Sequence, residues 1–533
     1  MIVEDQTETI AFLSRPEAYR TAAAVESGPV AGTDAPEDVD RVERIDTHIS
    51  HVFLAGAHAY KLKRAVRLPY LDFSSEGLRR RWCQREVEIN RRTAPMLYQG
   101  CVPVVRTEAG GLAIGGEGRP VDWLVVMTRF PENAVFDRLA AQGRLDRYAI
   151  EMLADVVARF HASAEPLRGG DGAAALARVI AGNRESFRQL AGGCLDAAAV
   201  DRVDAGIVAL SRQLAPVLDA RSAAGRVRRC HGDLHLRNIV AWNGVPVLFD
   251  AIEFSDPLAE IDVLYDLAFL VMDVAERCGR QPACLLLNRY LDATGDTAGL
   301  AVMPLFLAVR AAIRSHVEAM LATDDAGAGV AARRYLADAE AYLAPDPPRL
   351  IALGGLSGSG KSRLARHLAP LAGRAPGARV VRTDTTRKRL AGVDFHTRLA
   401  PILYGEAMTR KTYDAVYTEA KTALAAGYAV IADAVFATAE ERAAIAAVAA
   451  AAGVPFQALW LEAPAAVLEQ RVTHRRLNAS DATAAVVRLQ LSYDLGPLDW
   501  PRLNTEDATA DVLARACRML GLGPSKSGGG GET

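Results

Sequence analysis

Residues 349–369 place a short apolar run, Arg349 to Gly355, before a glycine-rich loop and then a segment of helical composition, Arg363 to Ala369. The loop reads Gly355-Leu-Ser357-Gly358-Ser359-Gly360-Lys361-Ser362. No other stretch restricts the fold as strongly. A strand, a loop of this spacing and a helix aim successive backbone N–H groups at one point, and glycine supplies the positive φ values that such a turn requires. That nest suits phosphate. Lys361 reaches the β- and γ-oxygens of a nucleotide such as ATP, and the Ser362 hydroxyl is a ligand for Mg²⁺. Gly355, Ser357, Gly358, Ser359 and Gly360 complete the expected cradle. Strand and helix patterns alternate from there to about Gly521, the rhythm of an α/β fold with a parallel sheet.

A second phosphate signature lies upstream: His231-Gly-Asp233-Leu-His-Leu-Arg-Asn238, then an apolar strand ending in Leu248-Phe-Asp250. Phosphoryl transfer needs an acceptor oxygen to be positioned, metal to neutralise the phosphates and a cation on those not transferred. Asp233 can accept the proton of an attacking hydroxyl. Asn238 and Asp250 offer hard oxygen ligands suited to Mg²⁺. The spacing is that of a protein-kinase catalytic loop followed by a metal-binding aspartate.

Basic residues sharpen this reading. Of the 62 lysines and arginines only seven are lysine, and in the first 360 residues only Lys61 and Lys63 occur. A chain that drifts so strongly to arginine yet spares two alternating positions implies a need for a compact ammonium there.

The upstream signature from His231 to Asn238, with the strand ending in Asp250 and with Leu264-Tyr-Asp-Leu-Ala268, resembles the aminoglycoside phosphotransferase family over roughly residues 42–343. The resemblance implies an α+β, protein-kinase-like bilobal domain. It also implies that Lys61 or Lys63 holds the α/β-phosphates, Lys61 being preferred, that Glu86 orients that lysine, and that Met127 to Phe130 forms the interlobe hinge against adenine. No G-x-G-x-x-G precedes the lysines; Thr47-His-Ile-Ser-His51 stands there instead, which fits this family. His161, His235 and Asp266 are read as packing or supporting groups, and the acidic cluster Glu253, Asp256, Glu260 and Asp262 as a solvated loop.

The second half resembles small-molecule kinases of the P-loop class, including gluconate, adenylylsulfate, nucleoside and zeta-toxin-like kinases. By that resemblance Asp384, ending the strand Val380 to Asp384, is the base, and Arg387 binds an anionic part of the acceptor. Asp433, ending Ala429 to Asp433, takes a metal-linked position. Arg471, Arg475 and Arg476 form a lid that closes on the transferring phosphate. The whole chain resembles fused bacterial proteins described as aminoglycoside phosphotransferase-like and ATP-binding.

Punctuation divides the chain into an N-terminal segment and linker (1–41), the kinase-like domain (42–343), the P-loop domain (349–522) and a glycine-rich tail (523–533), with Ala344-Pro-Asp-Pro-Pro348 as the main boundary. A formal net charge of −2 gives no electrostatic reason to expect a nucleic-acid partner. Seven dispersed cysteines read as reduced thiols, and neither a signal peptide nor a membrane span is evident, so a cytoplasmic location is expected. The sequence carries no marker of oligomeric state. The leading expectation is a bifunctional ATP- and Mg²⁺-dependent phosphotransferase acting on small hydroxylated metabolites. A second is a regulatory protein whose P-loop half senses or hydrolyses nucleotide and controls a weak or inactive kinase-like half. A third is a toxin-like kinase restrained by the N-terminal half.

Overall fold

The computed structural model describes residues 3–20, 39–68, 71–167, 169, 171–190, 193–322, 326–474 and 480–523. The expected linker to Asp38, Arg475 and Arg476 of the expected lid, and the tail beyond Gly523 lie outside them. Contacts divide the chain into two compact units: Met1–Leu145, Ser163–Gly170 and Ser222–Leu270 form one, and Asp146–Ala162, Asp171–Arg221 and Val271–Thr533 the other.

The first unit is built on a six-stranded antiparallel sheet, in the order Val42–Asp46, Ser50–Ala55, His58–Lys63, Arg119–Thr128, Tyr98–Arg106, Leu112–Ile114. Gly56 opens the two-residue turn between the second and third strands with φ 56°, a sign of φ that favours glycine at the first position of a tight hairpin. Period-two alternation sorts the His58–Lys63 strand. Tyr60 and Leu62 join an apolar cluster with Leu13, Tyr19 and Phe53, while Ala59 packs on the opposite face with Cys83 and Val87. Lys61 and Lys63 share the Ala59 face.

Against that face lies the helix Glu76–Asn90, whose Ser75 Oγ accepts the Leu78 N–H. Its arginines spread around it, but Arg79, Cys83, Glu86, Val87 and Asn90 form one buried stripe at helical spacing. Further along, Ile239–Trp242 and Val245–Leu248 pair as a hairpin. Its turn residues Asn243 and Gly244, at φ 50° and 79°, are the pair that a type I′ turn selects.

The second unit contains a five-stranded parallel sheet, ordered Arg379–Arg382, Val430–Asp433, Leu350–Gly354, Phe456–Glu462, Arg502–Asn504. The central strand is buried throughout, as a sheet covered on both faces demands. The helices Arg147–Ser163, Arg280–Thr294, Met303–Leu321 and Ala326–Leu343 also contribute to this unit. Arg280–Thr294 packs at the sheet edge. There the buried Arg379 donates to Asn288 Oδ1 (3.0 Å), Asp292 Oδ1 (2.5 Å) and Glu419 Oε1 (2.6 Å). Thr297 and Arg389 also donate to Glu419. All seven cysteines are free thiols. Among the described residues no helix is long and apolar enough to cross a membrane.

Candidate functional site

In the first unit, the strand places Lys61 opposite the Glu86 helix, and Lys61 Nζ donates to Glu86 Oε1 (2.8 Å) and Asp250 Oδ1 (2.6 Å). Lys63 Nζ donates to the other Glu86 oxygen, Oε2 (2.6 Å), and to Glu253 Oε1. Both lysines therefore share Glu86. They differ in outlook: the Lys63 side chain is fully buried between two carboxylates, whereas Lys61 keeps 12% of its side chain exposed and its partner Asp250 keeps 42%. Burial disfavours the Lys61 ammonium, but Asp250 and Glu86 outweigh it and lift it well above the ordinary lysine range. Burial would raise the Glu86 carboxyl; Lys61 and Lys63 instead hold it down at about 2.

Glu253 corrects one expectation. It is 4% exposed, not part of a solvated loop. A side chain that ends within reach of a buried ammonium is held inside by the charge it neutralises. Asp256 does keep to the surface, paired with Arg229, while Asp262 is buried.

Asp250 sits at φ 62°, a left-handed conformation that Asp tolerates better than most side chains. Its N–H donates to the Tyr98 hydroxyl (3.1 Å), and the next N–H, of Ala251, donates to Asn90 Oδ1 (2.8 Å). Two hydrogen bonds run this segment alongside the signature loop: Phe249 N to Asn238 O (3.0 Å) and Ile252 N to His231 O (2.9 Å). His231 Nε2 adds a bond to the Phe249 carbonyl (2.9 Å). A carbonyl only accepts, so this nitrogen carries the proton. Burial lowers the His231 pKa, which keeps that neutral form.

The loop itself is clamped by buried Asp266, whose two oxygens accept the His231 and Gly232 N–H groups (3.0 and 2.9 Å). Gly232 turns at φ 84°, and a Cβ there would meet Leu258 O at 2.9 Å. Beyond it Asn238 Nδ2 donates to Asp233 O (2.9 Å) and Oδ2 (3.1 Å), and His235 Nε2 lies 3.3 Å from the same carboxylate oxygen. With its amide nitrogen turned to Asp233, Asn238 keeps Oδ1 as its side-chain acceptor. Asp233, 43% exposed, is open to a reactant. Met127 is buried in its strand opposite Ala59 and Tyr98, in one cluster with Val240 and Val247. The Phe130 and Phe249 rings lie 5.1 Å apart.

The second unit brings Gly358, Gly360, Lys361, Ser362, Asp384, Asp433 and Arg471 to one cavity of about 900 Å³. Gly355 and Gly358, at φ 135° and 88°, approach backbone too closely for any side chain: a Cβ would lie 2.3 Å from Leu461 O and 2.6 Å from Leu468 O. Gly360, at φ 92°, has nothing within 4 Å of its Cβ position and precedes the helix Lys361–Leu368. Lys361 Nζ donates to Gly355 O (2.7 Å) and Leu356 O (3.0 Å). Ser357 N donates to Gln490 Oε1 (2.7 Å). Ser359 Oγ is buried without a hydrogen-bond partner among the described residues.

The strand expected to end at Asp384 ends at Arg382, and Asp384 lies in the first turn of the helix Thr383–Leu390. A carboxylate there gains from the helix dipole. Arg387 stacks over the Tyr404 ring, 5.0 Å from its centroid, and donates to Leu403 O and Thr409 Oγ1. Arg471 donates to Thr505 Oγ1 (3.0 Å) and O (2.6 Å). Lys388 is buried and donates to Phe395 O (2.9 Å) and Asp481 Oδ1 (3.1 Å).

Arg382 escaped the sequence reading. Its Nη2 donates to Ser362 Oγ (3.1 Å) and its Nε to Asp433 Oδ2 (3.2 Å). The one available signal was positional, since Arg382 and Asp433 both end β-strands, and an arginine-rich chain hides it.

Both donor sets suit magnesium. Asn238 Oδ1 and the Asp250 carboxylate in one site, and Ser362 Oγ and Asp433 in the other, are hard oxygen atoms with no sulfur or imidazole ligand among them.

Comparison with known proteins finds two family matches in the chain. Residues 72–306 match the model of the phosphotransferase enzyme family, and residues 350–494 match a model described as an AAA domain. The chain is thus a fusion of a phosphotransferase-family domain and a P-loop kinase-like domain. It is 31% identical over 464 residues to uncharacterized protein Rv2004c of Mycobacterium tuberculosis, covering 85% of this chain and 90% of that protein. Uncharacterized protein Mb2027c of Mycobacterium bovis matches to the same extent. The chain belongs to the family of these mycobacterial proteins. Among solved structures, a choline/ethanolamine kinase family protein from Mesorhizobium loti is similar at 16% identity and TM-score 0.36, over 57% of this chain and 87% of that one. The Mycobacterium tuberculosis APS kinase CysC, in complex with AMPPNP and APS, is similar at 22% identity and TM-score 0.25, over 33% of this chain and 98% of that one.

Proposed function

We propose that this protein is a bifunctional phosphotransferase with two separate ATP·Mg²⁺ sites, each transferring phosphate to a hydroxyl of a small metabolite. The observation that carries the reading is the ion-pair chain Glu86–Lys61–Asp250, set beside the Asp233–Asn238 loop by the hydrogen bonds of residues 249–252. Glu86 fixes Lys61 so that its ammonium meets the non-transferred phosphates. Asp233 orients the acceptor hydroxyl and takes its proton, and Met127 lies against the base. Asn238 and Asp250 hold the metal, which neutralises phosphate charge when bound. Lys63, sealed between Glu86 and Glu253, supports this arrangement without meeting the nucleotide.

In the P-loop domain, Gly355 to Gly360 cradle the phosphates, Lys361 binds the terminal ones, and Ser362 and Asp433 hold the metal. Asp384 acts as base on the acceptor, with Arg387 on an anionic part of it and Arg471 at the lid. We assign the domains to 42–343 and 349–522 and the protein to the cytoplasm. A second reading, in which the P-loop half controls the kinase-like half, is favoured by one observation: the buried Arg379 network ties Arg280–Thr294 to the sheet edge.

The test is a metabolite extract incubated with labelled ATP. Asp233→Asn and Lys361→Ala should each remove a different phosphorylated product. If Asp233→Asn leaves all products in place while Lys361→Ala removes them all, the two-enzyme reading fails and the regulatory one stands.

A further inference from the structure

The two oxygens assigned to metal in the P-loop site, Ser362 Oγ and Asp433 Oδ2, are bridged by one guanidinium. Arg382 reaches the first through Nη2 at 3.1 Å and the second through Nε at 3.2 Å. This placement follows from the backbone. Arg382 and Asp433 are register partners at the ends of adjacent parallel strands, so their side chains emerge on the same face at the loop edge of the sheet. The carboxylate is 4% exposed and cannot be left without a cation.

We infer that Arg382 is the resident cation of the P-loop site. It competes with Mg²⁺ for Ser362 and Asp433, and it supplies positive charge to nucleotide phosphates when no divalent ion is present. The inference rests on the P-loop nucleotide site proposed above. It assigns Arg382 a binding role that neither the glycine-rich loop nor the expected base and lid residues contain. A planar guanidinium suits it, because one rigid group spans a hydroxyl and a carboxylate and presents further donors to phosphate oxygens. Release costs little when metal arrives, since the ion takes over both oxygens and the guanidinium can turn to the phosphate or to Asp384.

The consequence is a muted metal requirement. Arg382→Ala removes the competitor in the presence of magnesium and removes the substitute cation in its absence. The ratio of nucleotide affinity in saturating magnesium to that in EDTA should therefore rise, by about tenfold for loss of a charge-assisted pair of hydrogen bonds. The measurement is titration of the full-length protein with a fluorescent ATP analogue. The P-loop component is defined as the binding lost in Lys361→Ala, which separates it from the first site. Arg382→Gln keeps length and a donor without charge, and is judged by the same ratio should the alanine variant fail to fold. A ratio that stays at the wild-type value or falls, in a folded variant, overturns the inference and leaves the P-loop reading intact. Absence of any Lys361-dependent component in wild type overturns both.

Discussion

Glu86 is fully buried and holds two lysines at once, so its removal has a calculable effect. Its carboxyl stands at about 2 in the folded protein against 4.5 when exposed. A group whose pKa is depressed by folding stabilises the protein above its unfolded value and loses that contribution as pH falls through the folded one. The difference corresponds to on the order of 3 kcal/mol at neutral pH, falling to roughly half of that at pH 3. Full burial means that little of this is screened by solvent. Glu86→Gln keeps the volume and removes the charge, leaving Lys61 with Asp250 and Lys63 with Glu253. With a urea slope of about 2–3 kcal/mol per molar, the unfolding midpoint of the first unit should drop by roughly 1–1.5 M at pH 7. The assay is urea unfolding followed by tryptophan fluorescence, since Trp82 and Trp123 lie in this unit, at pH 7 and again at pH 3. The gap between variant and wild type should shrink by about half at the lower pH. A midpoint within about 0.2 M of wild type at pH 7, or a gap that is the same at both pH values, refutes the reasoning.

Glu253→Gln, which touches Lys63 but not Lys61, should destabilise the unit yet keep the Asp233-dependent product, whereas Glu86→Gln should lose it; product analysis by mass spectrometry separates the two. Gly232→Ala forces a side chain into φ 84° and against Leu258 O at 2.9 Å; more than about 2 kcal/mol should be lost, with the Asp233-dependent product, in denaturant unfolding and turnover assays. Burial holds His316 down at about 4, below its ordinary 6.5. Its neutral form is favoured by folding, so wild type loses stability as pH falls from about 6.5 to 4, and His316→Gln should flatten that part of the profile in thermal unfolding. Arg379→Met takes the cation from Asp292 and leaves buried Glu419 with Arg389 alone, and calorimetry should show the second unit destabilised by about 3 kcal/mol.

Much of this arrangement was legible because it is local. A strand, glycines at fixed offsets and a helix define the glycine-rich loop within about fifteen residues, and the Asp233–Asn238 loop is equally short-range. The sparing of Lys61 and Lys63 also pointed to their site, since a strand's period of two puts alternate residues on one face. Local reasoning erred where a partner lay far along the chain. Glu253 read as solvated because the ammonium that buries it is 190 residues away. Asp384 read as a strand end because nothing in Val380 to Asp384 marks where pairing with the neighbouring strand stops.

Sequence alone determined the two domain types, the glycine-rich loop and the His231–Asn238 loop, and the residue types that can accept a proton or hold a metal, since each follows from spacing along one segment. Tertiary structure decided which charges meet. It gave Glu86 two lysines, sealed Lys63 and left Lys61 partly open, clamped the His231 loop on Asp266, and set Arg382 between Ser362 and Asp433. The physical reason is that an ion pair depends on separation in space and on burial, and neither quantity is carried by the distance between residues along the chain.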